Sequence, residues 1–147
     1  MRLSSKGRYG VRALYCIAYH NGGRPTQMRE VAEQANIPAR FLEQILHDMK
    51  RAGLVVAKRG PNGGYQLARQ PSQITLGDVV RALEGATVTL QRDIDNDPRD
   101  PLASVLQDLA SNIEKCFDAV TIAEVCRRGE RLGVPRKGEP AGPEYAI

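Results

Sequence analysis

Polar and basic residues in two neighbouring stretches have the types and spacing that DNA recognition requires. Arg40, Glu43 and Gln44 lie away from the apolar stripe of a predicted helix. Arginine contacts guanine or phosphate, glutamine pairs with adenine, and glutamate accepts a hydrogen bond from cytosine. The second stretch, residues 59–65 (RGPNGGY), places three glycines between an arginine and a tyrosine. Arg59 in such a turn suits insertion into a narrow minor groove, where negative potential is concentrated.

Net charge divides the chain into a basic and an acidic half. Residues 1–70 hold 12 Lys and Arg against 4 Asp and Glu, whereas residues 71–147 hold 9 against 13. A basic half suits contact with phosphates. An ordinary solvated surface could carry the same charge, so charge alone does not indicate DNA binding. The basic half also contains both motifs, and this coincidence favours DNA. The predicted DNA contacts are Arg2, Lys6, Arg8, Arg40, Glu43, Gln44, Lys58, Arg59, Asn62 and Gly63.

Catalytic chemistry is not favoured by the residues present. His20 and His47 have no metal-ligand partner at a useful spacing. The glycines of residues 60–64 lack the Gly-Lys-Ser/Thr ending of a phosphate-binding loop. Ser4, Ser5 and Lys6 have no accompanying general base, so one of the serines is expected to cap a helix. We therefore predict that the chain is not an enzyme.

The three cysteines are an odd number and lie far apart, so no disulfide framework is expected. Cys16 and Cys116 are expected to be small buried apolar residues. Cys126 precedes Arg127 and Arg128, which would lower the pKa of its thiol. Cys126 is therefore a candidate redox thiol.

Helical periodicity and turn signals predict a mainly α fold with a small β-hairpin. In the first half they predict a helix over residues 5–20, a second helix capped by Thr26, and a third helix that begins at Pro38 and ends at Gly53. The third helix is expected to bury Ile37, Phe41, Leu42, Ile45, Leu46 and Met49. Strands are expected at residues 54–58 and 65–68, with Gly63 and Gly64 supplying positive φ in the turn. A helix over residues 76–84 is capped by Thr75.

The second half is predicted to contain a long amphipathic helix that begins at Pro101. Its apolar stripe is expected to pack on a second copy of the chain, because a small domain leaves little else to bury it. Thr121 is expected to cap a short final helix. The predicted division is a DNA-binding domain at 1–85, an acidic linker at 86–100, dimerisation helices at 101–131 and a flexible tail at 132–147.

Six motifs resemble one family of winged-helix regulators, the Rrf2 family, which includes IscR and CymR. They are MRLSSKGRYG at 1–10, FLEQI at 41–45, AGLV at 52–55, RGPNGGY at 59–65, TLGDV at 75–79 and LEG at 83–85. The resemblance is dense over residues 1–85 and looser beyond. It implies a winged helix-turn-helix plus a long dimerisation helix, a homodimer, a two-fold-symmetric operator and, usually, repression. It also implies that Glu43 and Gln44 lie on the recognition helix and that Arg59 enters the minor groove.

The resemblance also bears on cofactor and partner. Cluster-binding members hold an iron–sulfur cluster through three closely spaced cysteines before the long helix, but residues 86–115 contain neither Cys nor His. We therefore expect no cofactor and a position near the cluster-free CymR branch, which controls cysteine metabolism. In that branch a C-terminal isoleucine docks into cysteine synthase, the O-acetylserine sulfhydrylase. Ile147 would supply the carboxylate and apolar anchor, and Tyr145 a second contact.

Two alternatives stay open at this point. One is an IscR-like iron–sulfur or redox regulator with atypical ligands, and the other is a winged-helix protein-interaction module that does not read DNA sequence. The chain has no apolar run near the roughly 18 residues of a membrane helix, and its N-terminus lacks the apolar segment of a secretory signal. A cytoplasmic protein is expected.

Overall fold

A computed structural model describes residues 3–85 and 97–138 of the chain. The expectations for Arg2, Tyr145 and Ile147, and for most of the acidic 86–100 segment, lie outside these residues. The described elements are α1 (Ser5–His20), α2 (Met28–Ala35), α3 (Ala39–Arg51), β1 (Val55–Lys58), β2 (Gly64–Leu67), a 3-10 turn (Pro71–Gln73), α4 (Leu76–Glu84), α5 (Pro101–Ala119) and α6 (Ile122–Arg131). The mainly α fold class with one antiparallel hairpin is confirmed.

Helix α1 is the centre of the fold, because α2, α3, α4 and α6 all pack against it. The Ser4 hydroxyl accepts a hydrogen bond of 3.1 Å from the Gly7 amide and so caps its first turn. Leu14 and Ile17 are fully buried in an aliphatic core. Burial of such side chains is the main favourable term in folding.

Helices α2 and α3 form a helix-turn-helix through a left-handed residue, Asn36, at φ 53°. Asparagine tolerates this conformation better than most residues. Pro38 precedes α3 as its N-cap, so the helix begins one residue later than predicted. The prediction that Phe41 is buried was wrong. Phe41 is 47% exposed, because it lies at the margin of the apolar stripe, and the Arg40 guanidinium lies 4.8 Å from the centre of its ring.

Thr26 does not cap α2, as was predicted from its residue type. Gln27 occupies the N-cap position and makes no side-chain capping bond. Thr26 instead forms a β-bridge with Tyr65, with N–O distances of 2.7 and 2.8 Å in the two directions. Its hydroxyl accepts a 2.7 Å hydrogen bond from the side-chain amide of Asn21. Local signals assigned Thr26 to the start of α2, but its backbone pairs instead with Tyr65, which is distant in sequence.

Helix α6 packs onto the same core and is tied to the start of α4. Thr75 and Thr121 form a β-bridge and each caps the following helix with its side chain. Ile122 is fully buried and belongs to the core cluster. Helix α6 thus completes the hydrophobic core around α1. Its predicted part in the dimerisation helices at 101–131 stays a prediction.

The segment after α6 is attached to the helical core over its described length. The Tyr19 hydroxyl donates a 2.6 Å hydrogen bond to the Val134 carbonyl. The Lys137 amide donates to His20 Nδ1 at 3.1 Å, and the Lys137 ammonium pairs with Glu30 at 2.7 Å. Residues 134–137 of the predicted flexible tail (132–147) therefore pack along one end each of α1 and α2. The prediction for residues 139–147 lies outside the described residues.

Candidate nucleic-acid interface

The recognition surface of α3 is a row of polar side chains opposite its buried stripe. Leu42, Ile45, Leu46 and Met49 are buried. The α-helical repeat of 3.6 residues then directs the other side outward. Arg40, Glu43, Gln44 and His47 are all exposed there. The structure thus brings together the three residues predicted to read bases.

The turn between β1 and β2 forms the wing and presents Lys58, Arg59 and Asn62 to solvent. Its positive φ angles fall on Gly60 and Gly64, at 107° and 146°. The prediction of positive φ is thus confirmed for Gly64 and was wrong for Gly63. Gly63 is buried, and its amide donates a 2.9 Å hydrogen bond to the Gly60 carbonyl. A Cβ there would overlap the Lys58 carbonyl. Gly63 therefore shapes the turn, and its prediction as a surface contact needs correction.

The wing is held against the helical core at its base. The Thr26–Tyr65 bridge joins β2 to the connection between α1 and α2. Gln66 adds a 2.7 Å hydrogen bond from its side-chain amide to the Gly23 carbonyl. Gly64 lies so close to the Thr26 backbone that any side chain would overlap it. These contacts attach the base of the wing, and with it the turn that carries Arg59, to the helical core.

Lys6, predicted as a phosphate contact, is already paired within the chain. Its ammonium lies 2.8 Å from Asp48 on α3. The other oxygen of the same carboxylate accepts a 3.0 Å hydrogen bond from the Gln44 amide. The hydrogen bond from Lys6 is the largest influence on the pKa of Asp48 and holds it below its usual range. Arg8, by contrast, is exposed near the start of α1.

Sequence reasoning did not identify Asp48, Thr26 or Tyr65 as residues that organise this surface. The signal for Asp48 was present, because Gln44 and Asp48 are four apart on a helix and such pairs interact. The Thr26–Tyr65 bridge spans 39 positions and had no local signal. Only the packing of the hairpin against α1 and α2 brings these two backbones together.

The three thiols lie in different environments. Cys16 is buried, and burial raises its pKa to about 11. The pKa of Cys126 is raised, chiefly by burial, and the opposing charges of Arg136 and Arg127 do not overcome this. The predicted lowering by its arginine neighbours was therefore wrong. Cys116 is exposed on α5 rather than buried as expected.

These environments do not suit an iron–sulfur cluster, which needs converging thiolates. Cys16 is in the core, Cys126 packs against that core, and Cys116 faces solvent. Over residues 3–85 and 97–138, no group of three His, Cys, Asp or Glu side chains is placed to hold a metal ion. The described residues therefore do not fit a cluster, and its absence stays a prediction for the whole chain.

A helix-turn-helix followed by a hairpin defines the winged-helix class of transcription regulators. The Rrf2 family, described as an iron-dependent transcriptional regulator, matches residues 3–128. The chain belongs to this family. In the described part of the chain, no helix is long and apolar enough to cross a membrane.

Similar proteins include regulators of two kinds within the family. The HTH-type transcriptional regulator IscR of Vibrio atlanticus is 31% identical over 138 residues, which cover 91% of this chain and 80% of that protein. The HTH-type transcriptional regulator CymR of Bacillus subtilis is 38% identical over 98 residues, covering 67% of this chain and 71% of that protein. The relatives named here are transcriptional regulators rather than enzymes.

Solved structures show the same two likenesses. T. potens IscR has a TM-score of 0.77 and 33% identity, covering 92% of this chain and 93% of that chain. CymR (YrzC), the global cysteine regulator of B. subtilis, has a TM-score of 0.74 and 30% identity, covering 87% of this chain and 98% of that chain. The two scores differ little, so the fold alone does not choose between the branches.

Proposed function

We propose that this regulator binds duplex DNA sequence-specifically, with α3 in the major groove and the wing in the adjacent minor groove. The observation that carries the proposal is the exposed row of Arg40, Glu43 and Gln44 beside a wing anchored by the Thr26–Tyr65 bridge. Base edges in the major groove distinguish all four base pairs. The proposed phosphate contacts include Arg2, Arg8 and Lys58.

The regulator acts as a homodimer on a palindromic operator. Leu102, Val105 and Leu109 of α5 are 63, 55 and 48% exposed. Their spacing of three and four residues places them on one side of the helix. Burying such a face against its own copy removes apolar surface from water and gives the dimer a two-fold axis. A two-fold dimer presents two recognition helices, which favours half-sites about one helical turn apart.

The biological role we propose is repression of cysteine or sulfur metabolism genes, without a cluster and in the cytoplasm. The likeness to CymR and the divergent environments of the three thiols support it. Cysteine synthase is the proposed partner through Tyr145 and Ile147. An IscR-like regulator with atypical cluster ligands is the second candidate, supported by the similarly high likeness to T. potens IscR.

The experiment is sequencing of genomic fragments captured by the purified, metal-free protein at physiological salt. An enriched palindrome supports cluster-free sequence reading, and the neighbouring genes distinguish sulfur from iron–sulfur targets. Enrichment that requires anaerobic reconstitution with iron and sulfide supports the second candidate. Absence of enrichment under both conditions contradicts DNA sequence reading and favours a protein-interaction module.

The matched variants for this experiment are Gln44→Ala and Arg127→Ala. Gln44 lies in the proposed interface, whereas Arg127 is an exposed arginine on α6. Gln44→Ala is expected to cost about 1–3 kcal/mol of discrimination at one operator position. Arg127→Ala is expected to leave the enriched sequence unchanged. An unchanged sequence logo with Gln44→Ala would remove Gln44 from the proposed contacts.

A further inference from the structure

Asp48 joins a basic residue of α1 to a base-reading residue of α3. Its Oδ2 atom lies 2.8 Å from Lys6 Nζ, and its Oδ1 atom accepts a 3.0 Å hydrogen bond from Gln44 Nε2. The Asp48 side chain is 18% exposed, whereas that of Lys6 is 41% exposed. The carboxylate is thus less exposed than the lysine and contacts both Lys6 and Gln44.

The chemistry of a carboxylate determines which way the Gln44 amide points. An ionised carboxylate accepts hydrogen bonds and donates none. The NH₂ group of Gln44 must therefore face Asp48, since the reversed amide would set its carbonyl oxygen against the carboxylate. One N–H is used in this bond, which leaves the second N–H and the carbonyl oxygen for a ligand. A donor beside an acceptor is the pattern that the N7 and N6 atoms of adenine require.

Charge explains the part of Lys6 in the arrangement. A bare carboxylate next to DNA phosphates would be repelled. Lys6 offsets the negative charge of Asp48, and its hydrogen bond holds the pKa of that carboxyl below the usual range. The ammonium of Lys6 is thereby committed within the chain. It should contribute less to the salt dependence of DNA binding than an exposed, uncommitted cation would.

We propose that Asp48 is a positioning residue for base recognition, which holds the Gln44 amide in one orientation while Lys6 cancels its charge. The proposal rests on the proposed DNA-binding function. It assigns Gln44 a preference for adenine over bases that would need the reversed amide. It also changes the role of Lys6 from phosphate contact to neutralising partner.

The test is binding of the full chain to its captured operator and to every single-base variant of it. Gln44→Ala first identifies the base pair that Gln44 reads. With Asp48→Ala, the preference for adenine at that base pair is expected to fall by about threefold or more, because the amide is released to reverse. The magnitude of the salt slope is expected to rise by about one, because Lys6 becomes available to a phosphate. The double variant Gln44→Ala/Asp48→Ala should lose no more of the preference for adenine than Gln44→Ala alone.

Two further variants separate positioning from simple structural support. Asp48→Asn keeps the shape of the side chain but adds a donor that can face the reversed amide, so it too should broaden the preference. Lys6→Ala removes the cation but leaves the Asp48–Gln44 bond, so it should weaken binding to all operator variants equally. Thermal unfolding of each variant checks that the domain is folded.

The outcomes distinguish this proposal from the one on which it depends. An unchanged preference for adenine in both Asp48 variants, with a selective loss in Gln44→Ala, would overturn the positioning role and leave the DNA-binding function intact. If the wild-type chain binds every single-base variant of the operator equally well, the proposed sequence-specific DNA binding is itself overturned. A loss of adenine preference in Lys6→Ala that is confined to the base pair read by Gln44 would also contradict the proposal, because Lys6 would then help to orient the amide.

Discussion

Helices α3 and α5 are both amphipathic, but only α3 buries its apolar side within the chain. Leu42 and Leu46 of α3 are fully buried, whereas Leu102, Val105 and Leu109 of α5 are about half exposed or more. Folding of one chain therefore uses the apolar face of α3 and turns its polar face outward. The corresponding face of α5 stays exposed in the single chain. We therefore propose that the polar face of α3 and the apolar face of α5 serve separate binding events, with DNA and with a second copy of the chain.

The largest effect should come from charging the apolar face of α5. Val105→Glu combined with Leu109→Glu is expected to dissociate the dimer, because two carboxylates would be buried at the interface. Operator affinity should then fall by about 100-fold or more, since linked binding to two half-sites is lost. Sedimentation and fluorescence anisotropy measure the two effects. Ser111→Glu, exposed elsewhere on α5, is the control and should stay dimeric; a dimeric double variant would contradict the proposal.

The same truncation on the two helices should have unequal costs. Leu46→Ala is expected to lower the free energy of unfolding by about 2–5 kcal/mol, because it leaves a cavity in the core. Leu102→Ala should change it by less than about 0.5 kcal/mol, since the side chain is exposed. Urea denaturation of both in the Val105→Glu/Leu109→Glu background removes any dimer contribution. Similar costs would show that the Leu102 face of α5 is buried within the monomer.

A substitution on the wing should separate DNA binding from dimerisation. Arg59→Ala is expected to weaken operator binding by about 1–2 kcal/mol and to reduce the salt slope by about one. Its dimer dissociation constant should match that of the wild type, because Arg59 lies on the wing and not on α5. Anisotropy titrations at several salt concentrations, with Arg127→Ala as the control, provide the measurement. A shifted dimer constant would indicate that the two surfaces are coupled.

The smallest effect concerns thiol reactivity, which reports how tightly each region is packed. In single-cysteine variants of the monomeric background, Cys116 on α5 should be alkylated faster than Cys126, and Cys126 faster than Cys16. Burial raises the pKa of Cys126 above its ordinary value and that of Cys16 to about 11, so each thiol carries less thiolate at neutral pH than an unperturbed one. Their alkylation should accelerate as pH rises toward each pKa. Rapid alkylation of Cys126 at pH 7 would restore it as a redox candidate.

Local signals were sufficient where a helix is specified by its own residues. The bounds of α1 and α4 were predicted without error, because a serine or threonine cap opens each helix and a glycine or asparagine follows its end. The apolar stripe of α3 likewise predicted most of its buried side chains. The polar row outside that stripe was therefore predicted to be exposed, and it is. In these elements the periodicity and the caps agree with the tertiary packing.

Local signals failed where a distant segment supplies the partner. Thr26 resembled a cap but bonds Tyr65, and Cys126 resembled an activated thiol but packs against the core. The flanking arginines could not lower the Cys126 pKa because burial outweighs their attraction in this environment. Neither the hairpin's docking site nor the burial of α6 is encoded in a short stretch of residues.

The helix-turn-helix, the hairpin, the apolar stripe of α5 and the family could all be predicted from residue types and their spacing, because periodicity, caps and turn glycines act over a few residues. The packing of α6 on the core, the anchoring of the wing through Thr26 and the contacts of Asp48 with Lys6 and Gln44 are visible only in the folded chain. These contacts depend on how α1 packs against elements far along the chain. Such packing is set by the whole core and not by any one segment.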